Sequence, residues 1–178
     1  MDLEEIRQEI NLVDEQMKEL FLKRMELSYH VAENKKRTKG AVYVPKREQE
    51  ILAARTNGVS DEYKQECKNF FQQMMEISRV YQYSKLTDDS EKLKMLLDRE
   101  GKLLCTFTCT KGEQQLRACL FAILSSGLLA EKILAEKIES GYCCSLQISG
   151  DFSSKRAKAA ILLIAEETED VQISEIEL

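Results

Sequence analysis

With 178 residues, 43% hydrophobic and 32% charged, the chain has ordinary soluble-protein composition and is long enough for one generous domain or two small ones. Its net charge of −5 gives no basic excess that would point to nucleic acid, and no run approaches the length of a membrane span. The charge is uneven: residues 1–86 hold 15 Lys+Arg against 15 Asp+Glu, and residues 87–178 hold 11 against 16, which predicts two units with different jobs.

The opening segment Met1-Asp2-Leu3-Glu4-Glu5 is acidic and helical, unlike a secretory signal, so a cytoplasmic protein is expected. Leu3, Ile6, Ile10, Val13, Met17, Leu20, Leu27 and Val31 recur at alternating three- and four-residue spacing, predicting a helix from Leu3 to about Arg37. Arg24 interrupts this stripe. A buried cation is costly unless an anion meets it, so Arg24 asks for a carboxylate from another segment, a partner or a ligand. Lys35 lies about 20° from Arg24 around the helix and roughly 16 Å further along, within joint reach of one small anion. Arg7 is roughly 25 Å away along the axis and about 100° around, so it can serve such a site only in another chain.

Lys35-Lys36-Arg37-Thr38-Lys39-Gly40 is a basic helix end stopping at glycine, and a solvated charge run suffices for Lys36, Arg37 and Lys39. Ala41 to Val44 reads as an extended connector, and Pro45 as the first residue of a second helix running to about Thr56. Glu48 in its first turn suits the helix dipole. A third helix follows Ser60, with Tyr63, Cys67, Phe70, Phe71, Met74, Ile77 and Tyr81 as its apolar positions. Ser78 and Gln82, four apart, place two small polar groups on its inner side, where they want partners.

From Thr87 the pattern changes. Thr87-Asp88-Asp89-Ser90 reads as a linker and Glu91 to Glu100 as a short helix. Beyond them are a strand Leu103–Thr110, a helix Gly112–Leu129, a strand Glu131–Ser140, a strand Tyr142–Ser149, a helix Ser153–Glu167 and a strand Val171–Glu177. This βαββαβ order is the ferredoxin-like arrangement, one sheet with two helices on one face. The six cysteines, at 67, 105, 109, 119, 143 and 144, lack metal-site spacing, and the single His30 is remote, so buried free thiols and no metal are expected.

Arg7, Asp14, Arg24, Lys35, the run Val42-Tyr43-Val44-Pro45-Lys46-Arg47-Glu48, and Ser78 with Gln82 together resemble the all-helical chorismate mutases over about residues 2–86. No single residue is specific; the ordered set is. The resemblance implies a three-helix, all-α domain at residues 1–86 in an intertwined homodimer paired through the first helix, with each site receiving one arginine from the partner chain. The implied reaction rearranges chorismate to prephenate in one pericyclic step, with no cofactor and no metal, so catalysis must come from holding a compact conformer and from aimed charge. Arg7 of the partner and Arg24 would clamp the carboxylates. Lys35 and Gln82 would donate to the ether oxygen, Glu48 would hold the substrate hydroxyl, Ser78 would help a carboxylate, and Arg47 would support the wall. Many members carry an acid where this chain has Val44, so activity of reduced or altered strength is expected.

Residues 101–178, after a linker and short helix at 87–100, resemble the ACT regulatory domain in their βαββαβ order and in Lys137-Ile138-Glu139-Ser140, which is similar to the end of the second strand in phenylalanine-sensing versions. An aromatic amino-acid effector would then meet Gly112, Glu139 and Ser140. The turn Lys111-Gly112-Glu113-Gln114-Gln115-Leu116 and the pair Gly141-Tyr142 depart from that pattern, so pairing with a twin or a partner enzyme is the alternative. Two other readings of the whole chain stand beside the mutase. One is an isochorismate-pyruvate lyase; the other is a non-catalytic protein that scaffolds an aromatic-pathway enzyme.

Overall fold

In the computed structural model of the chain, residues 1–87 and 100–176 are described. The expected linker after Thr87 and the short helix from Glu91 lie outside the described residues. Three helices come first: α1 (Leu3–Thr38), α2 (Pro45–Thr56) and α3 (Asp61–Leu86). Asp2 caps α1 in a reciprocal capping box with Glu5, satisfying two backbone donors that the first turn would otherwise leave open. At the other end Lys39 caps the helix in the left-handed conformation, with φ 53°. Gly40 then follows the cap, its N–H reaching the Lys35 carbonyl at 3.1 Å. Pro45 opens α2 as its first residue, where its missing N–H costs nothing.

The second unit runs β1 (Glu100–Cys109), α4 (Glu113–Ser125), β2 (Leu129–Ile138), β3 (Gly141–Asp151), α5 (Lys155–Glu167) and β4 (Glu169–Glu175). The strand order is β2-β3-β1-β4 with antiparallel neighbours, the ferredoxin-like topology its element order predicts. α4 stops at Ser125, earlier than expected, because Ser126 and Gly127 (φ 90°) turn the chain and β2 starts at Leu129. Alternation along β1 and β3 buries Leu103, Cys105, Phe107, Cys109, Cys144, Leu146 and Ile148 against α4 and α5. All six cysteines are free thiols; four are buried in this core, while Cys67 is half-buried and Cys143 exposed.

The two units meet along α3, whose C-terminal half packs on α5 and α4 as well as on α1 and α2. Its buried residues are Met75, Glu76, Ser78, Arg79, Gln82 and Tyr83. The apolar positions read from the sequence do not define that face: Tyr63 and Phe70 are exposed, and Phe71, Met74, Ile77 and Tyr81 are half-buried. The shift has a physical cause, since the contact with the second unit is made through polar side chains paired across it.

The first helix behaves in the opposite way. Only Ser28 and Ala32 of α1 are buried, whereas Leu3, Ile6, Ile10, Val13, Met17, Leu20, Leu27 and Val31 are all exposed in the single chain. Arg24 therefore does not interrupt a stripe buried within its own chain. It lies about 40° from Ser28 and about 40° from Leu20, on the boundary between the face packed on α3 and the apolar face left open.

Candidate active site

Arg24 and Lys35 leave α1 on the side of Ser28 and Ala32, where α1 approaches α3. The Arg24 guanidinium donates to Ser78 Oγ and, at 3.3 Å, to the Met74 carbonyl. Ser28 Oγ donates to the Arg24 carbonyl at 3.0 Å and lies 2.9 Å from Ser78 Oγ. Four turns of two helices are thereby pinned around one cation, with no carboxylate among the named contacts. Burial lowers the Arg24 pKa, the signature of a charge short of compensation. Arg24 and Ser78, singled out separately from the sequence, thus share one cluster suited to an anionic group.

A second cluster lies around Arg79. This guanidinium is 3% exposed; its Nη2 donates to both Glu48 oxygens at 2.6 Å, and its Nη1 donates to Glu167 Oε2 at 2.9 Å. The Tyr43 ring lies 4.1 Å from its central carbon, adding a cation–π contact. Burial would lower the Arg79 pKa, but Glu167 and Glu48 outweigh that and raise it. Burial raises Glu167 to about 7 against the pull of Arg79. Glu48 comes from the first turn of α2, Arg79 from α3 and Glu167 from the last turn of α5, so this carboxylate–arginine–carboxylate group spans both units.

Lys35 adjoins the second cluster. Its ammonium donates to the Val42 carbonyl at 2.8 Å, which fastens the helix end to the connector. Burial lowers its pKa, while the charges of Glu48 and Glu167 act in the opposite direction. Lys35, Tyr43, Tyr83, Lys111 and Glu167 line a cleft of about 750 Å³ between the units. Gln82 is buried, and its amide oxygen has no partner among the described residues. That leaves a hydrogen-bond acceptor open on the inner side of α3.

Other predicted residues lie apart. Arg7 is exposed and lies 4.0 Å from Glu4, and Arg47 is exposed and faces Glu50 at 3.5 Å. Val44 precedes Pro45 as the N-cap of α2 and makes no side-chain cap bond. In the second unit Gly112 (φ 85°) precedes α4, and Glu139 and Ser140 form the exposed β2–β3 turn. These two turns share one end of the sheet, because Gly141 sits against the Cys109 carbonyl: a Cβ there would come within 1.8 Å of that oxygen.

The residues that sequence reasoning missed are Tyr43, Glu76, Arg79 and Glu167. Glu76 is 2% exposed and meets Arg117 Nε of α4 at 3.1 Å, so α3 gives one acid and one base to the second unit. Met75, Arg79 and Gln82, and Glu76, Arg79 and Tyr83, do recur at helical spacing. That signal was present, but polarity disguised it.

Residues 6–83 match the family model described as Chorismate mutase type II. The match covers the helical unit, whose residue pattern resembles the same family. It stops short of the second unit. Comparison with curated proteins and with solved structures finds no match.

Proposed function

We propose that the protein is a chorismate mutase whose site is completed in a homodimer, with the βαββαβ unit appended as an ACT-like regulatory or assembly domain. The observation that carries the reading is the Arg24–Ser78 cluster, a half-buried guanidinium with no carboxylate partner among the described residues, inside the span matching type II chorismate mutases. A dianionic substrate supplies the missing charge.

The proposed mechanism uses only side-chain charge. Arg24, helped by Ser78, holds one carboxylate, and Arg7 of the second copy holds the other. Lys35 and Gln82 donate to the ether oxygen as negative charge develops on it, while Glu48 accepts from the substrate hydroxyl. Arg24 and Glu48 are held by Ser78 and Arg79 before the substrate arrives, which limits the reorganisation that reaching the transition state requires. Lys35 would exchange its bond to the Val42 carbonyl for one to substrate, and Arg47 supports the wall.

Dimerisation through α1 is supported by its exposed apolar residues, which leave a long helix face without a partner among the described residues. The same reading places the protein in aromatic amino-acid biosynthesis in the cytoplasm. Among the described residues no helix is long and apolar enough to cross a membrane. Gly112, Glu139 and Ser140, at one sheet end, form the proposed contact for an aromatic amino acid.

Product analysis tests the reading. Purified protein given chorismate should yield prephenate, and given isochorismate it should release no pyruvate. Pyruvate release would favour the lyase, and no turnover of either would favour a scaffold.

A further inference from the structure

The pairing of Glu48 is what the mutase reading leaves unexplained. A carboxylate meant to accept from a substrate hydroxyl already has both oxygens on Arg79, and Arg79 is itself shared with a carboxylate from the other unit. We propose that Arg79 is the positioning residue of Glu48, and that Glu167 of the second unit sets how that positioning works, making the second unit part of the reaction site. This inference deepens the mutase reading of the site and rests on it.

Geometry limits the alternatives. Arg79 bonds Glu48 through one terminal nitrogen and Glu167 through the other, so its guanidinium plane is fixed at both ends. Tyr43 closes one face of that plane. Glu167 cannot easily withdraw, because the Gln115 side-chain amide of α4 donates to its backbone carbonyl while the same side chain accepts from the Lys111 N–H at 2.7 Å. The Glu76–Arg117 pair, one helical turn before Arg79 on α3, adds a second tie. A change in the second unit is therefore transmitted to Arg79 through α5, and from Arg79 directly to Glu48.

Charge gives the arrangement its consequence. With both acids ionised the triad carries net −1, beside a site that must take a dianion; with Glu167 protonated it is neutral. The groups facing Glu167 are Arg79, Tyr83, Glu48, Lys35 and Tyr43 from the helical unit and Cys109 and Cys119 from its own, and Glu166 and Lys111 line the same cleft. Protonating Glu167 leaves Arg79 to Glu48 alone and removes one negative charge from beside the substrate.

The test uses the full-length protein and the variants Glu167→Gln, Arg79→Lys and Glu48→Gln. Chorismate turnover is followed from about pH 5 to about pH 9, separating kcat from KM. In the wild type, KM should rise several-fold as pH climbs through about 7, with less change in kcat. Glu167→Gln should flatten that rise. Arg79→Lys, which keeps the charge but lacks a fork for two carboxylates, should lower kcat about tenfold.

A second readout needs no turnover: the Glu167 carboxyl, followed by carbon-13 NMR and assigned by its absence in Glu167→Gln. Because Glu48 raises Glu167 across the shared guanidinium, Glu48→Gln should lower the pH at which Glu167 titrates. A Glu167 titration indifferent to Glu48→Gln, or a KM profile identical in wild type and Glu167→Gln, overturns the proposal. If the wild type does not consume chorismate, the mutase reading fails by itself, and the carboxyl titration still decides the coupling.

Discussion

Arg79 and Glu167 are 88 residues apart in sequence and 2.9 Å apart in space, joining the helical unit to the βαββαβ unit by a buried ion pair. Burial outweighs attraction at Glu167, so its carboxyl titrates near 7 in the folded protein and near its ordinary 4.5 when unfolded. Such a group contributes stability that is fully present below its unfolded pKa and is lost as pH rises through about 7. Glu167→Gln mimics the protonated form. It should raise the melting temperature at pH 8, by on the order of 2–3 kcal/mol in stability, with the gain vanishing near pH 4. Thermal melts of both proteins across that range check it.

Glu76 makes the companion prediction. It is 2% exposed, burial raises its pKa, and Arg117 of α4 is its charged partner. Arg117→Ala leaves that acid buried without its counterion and should cost roughly 1–3 kcal/mol. Arg117→Ala combined with Glu76→Gln should recover part of the loss, as denaturant titration would reveal.

The Arg24 cluster predicts unequal effects at the site. Arg24→Ala removes the cation and should lower turnover by more than about a hundredfold, with Lys35→Ala similar. Ser78→Ala removes one contact to a guanidinium that keeps the Met74 carbonyl, so about tenfold is expected. Steady-state kinetics on the three variants orders them.

The open face of α1 predicts association. Ile10→Glu with Val13→Glu places charge among exposed apolar residues and touches no described intrachain core. Sedimentation should show the wild type as a dimer and the variant as a monomer. Its C-terminal unit should stay folded while mutase turnover is lost.

How much of this was legible in sequence differs between elements. Pro45 and Asn57-Gly58 fixed the ends of α2, because proline and glycine restrict the backbone locally. The alternation of Leu103, Cys105, Phe107 and Cys109 placed β1 for the same kind of reason, a period-two burial pattern. Arg24 and Ser78 were individually visible as polar groups on inward faces, and the family resemblance joined them. Arg79 and Glu76 were not visible. A buried charge looks like a surface charge until its partner is known, and their partners lie on α5 and α4 of the other unit.

In the proposed dimer one helix feeds two sites, Arg24 and Lys35 to its own and Arg7 to its partner's, and mixing two inactive variants puts that sharing to the test. Arg7→Ala and Arg24→Ala homodimers should each be inactive. After unfolding and refolding together, half the dimers carry one of each chain, and one of their two sites is intact, so chorismate turnover should return to about one quarter of the wild-type value. Recovery near that level is the predicted result. Two variants that stay inactive when mixed, beside a wild type that converts chorismate, would contradict the shared site.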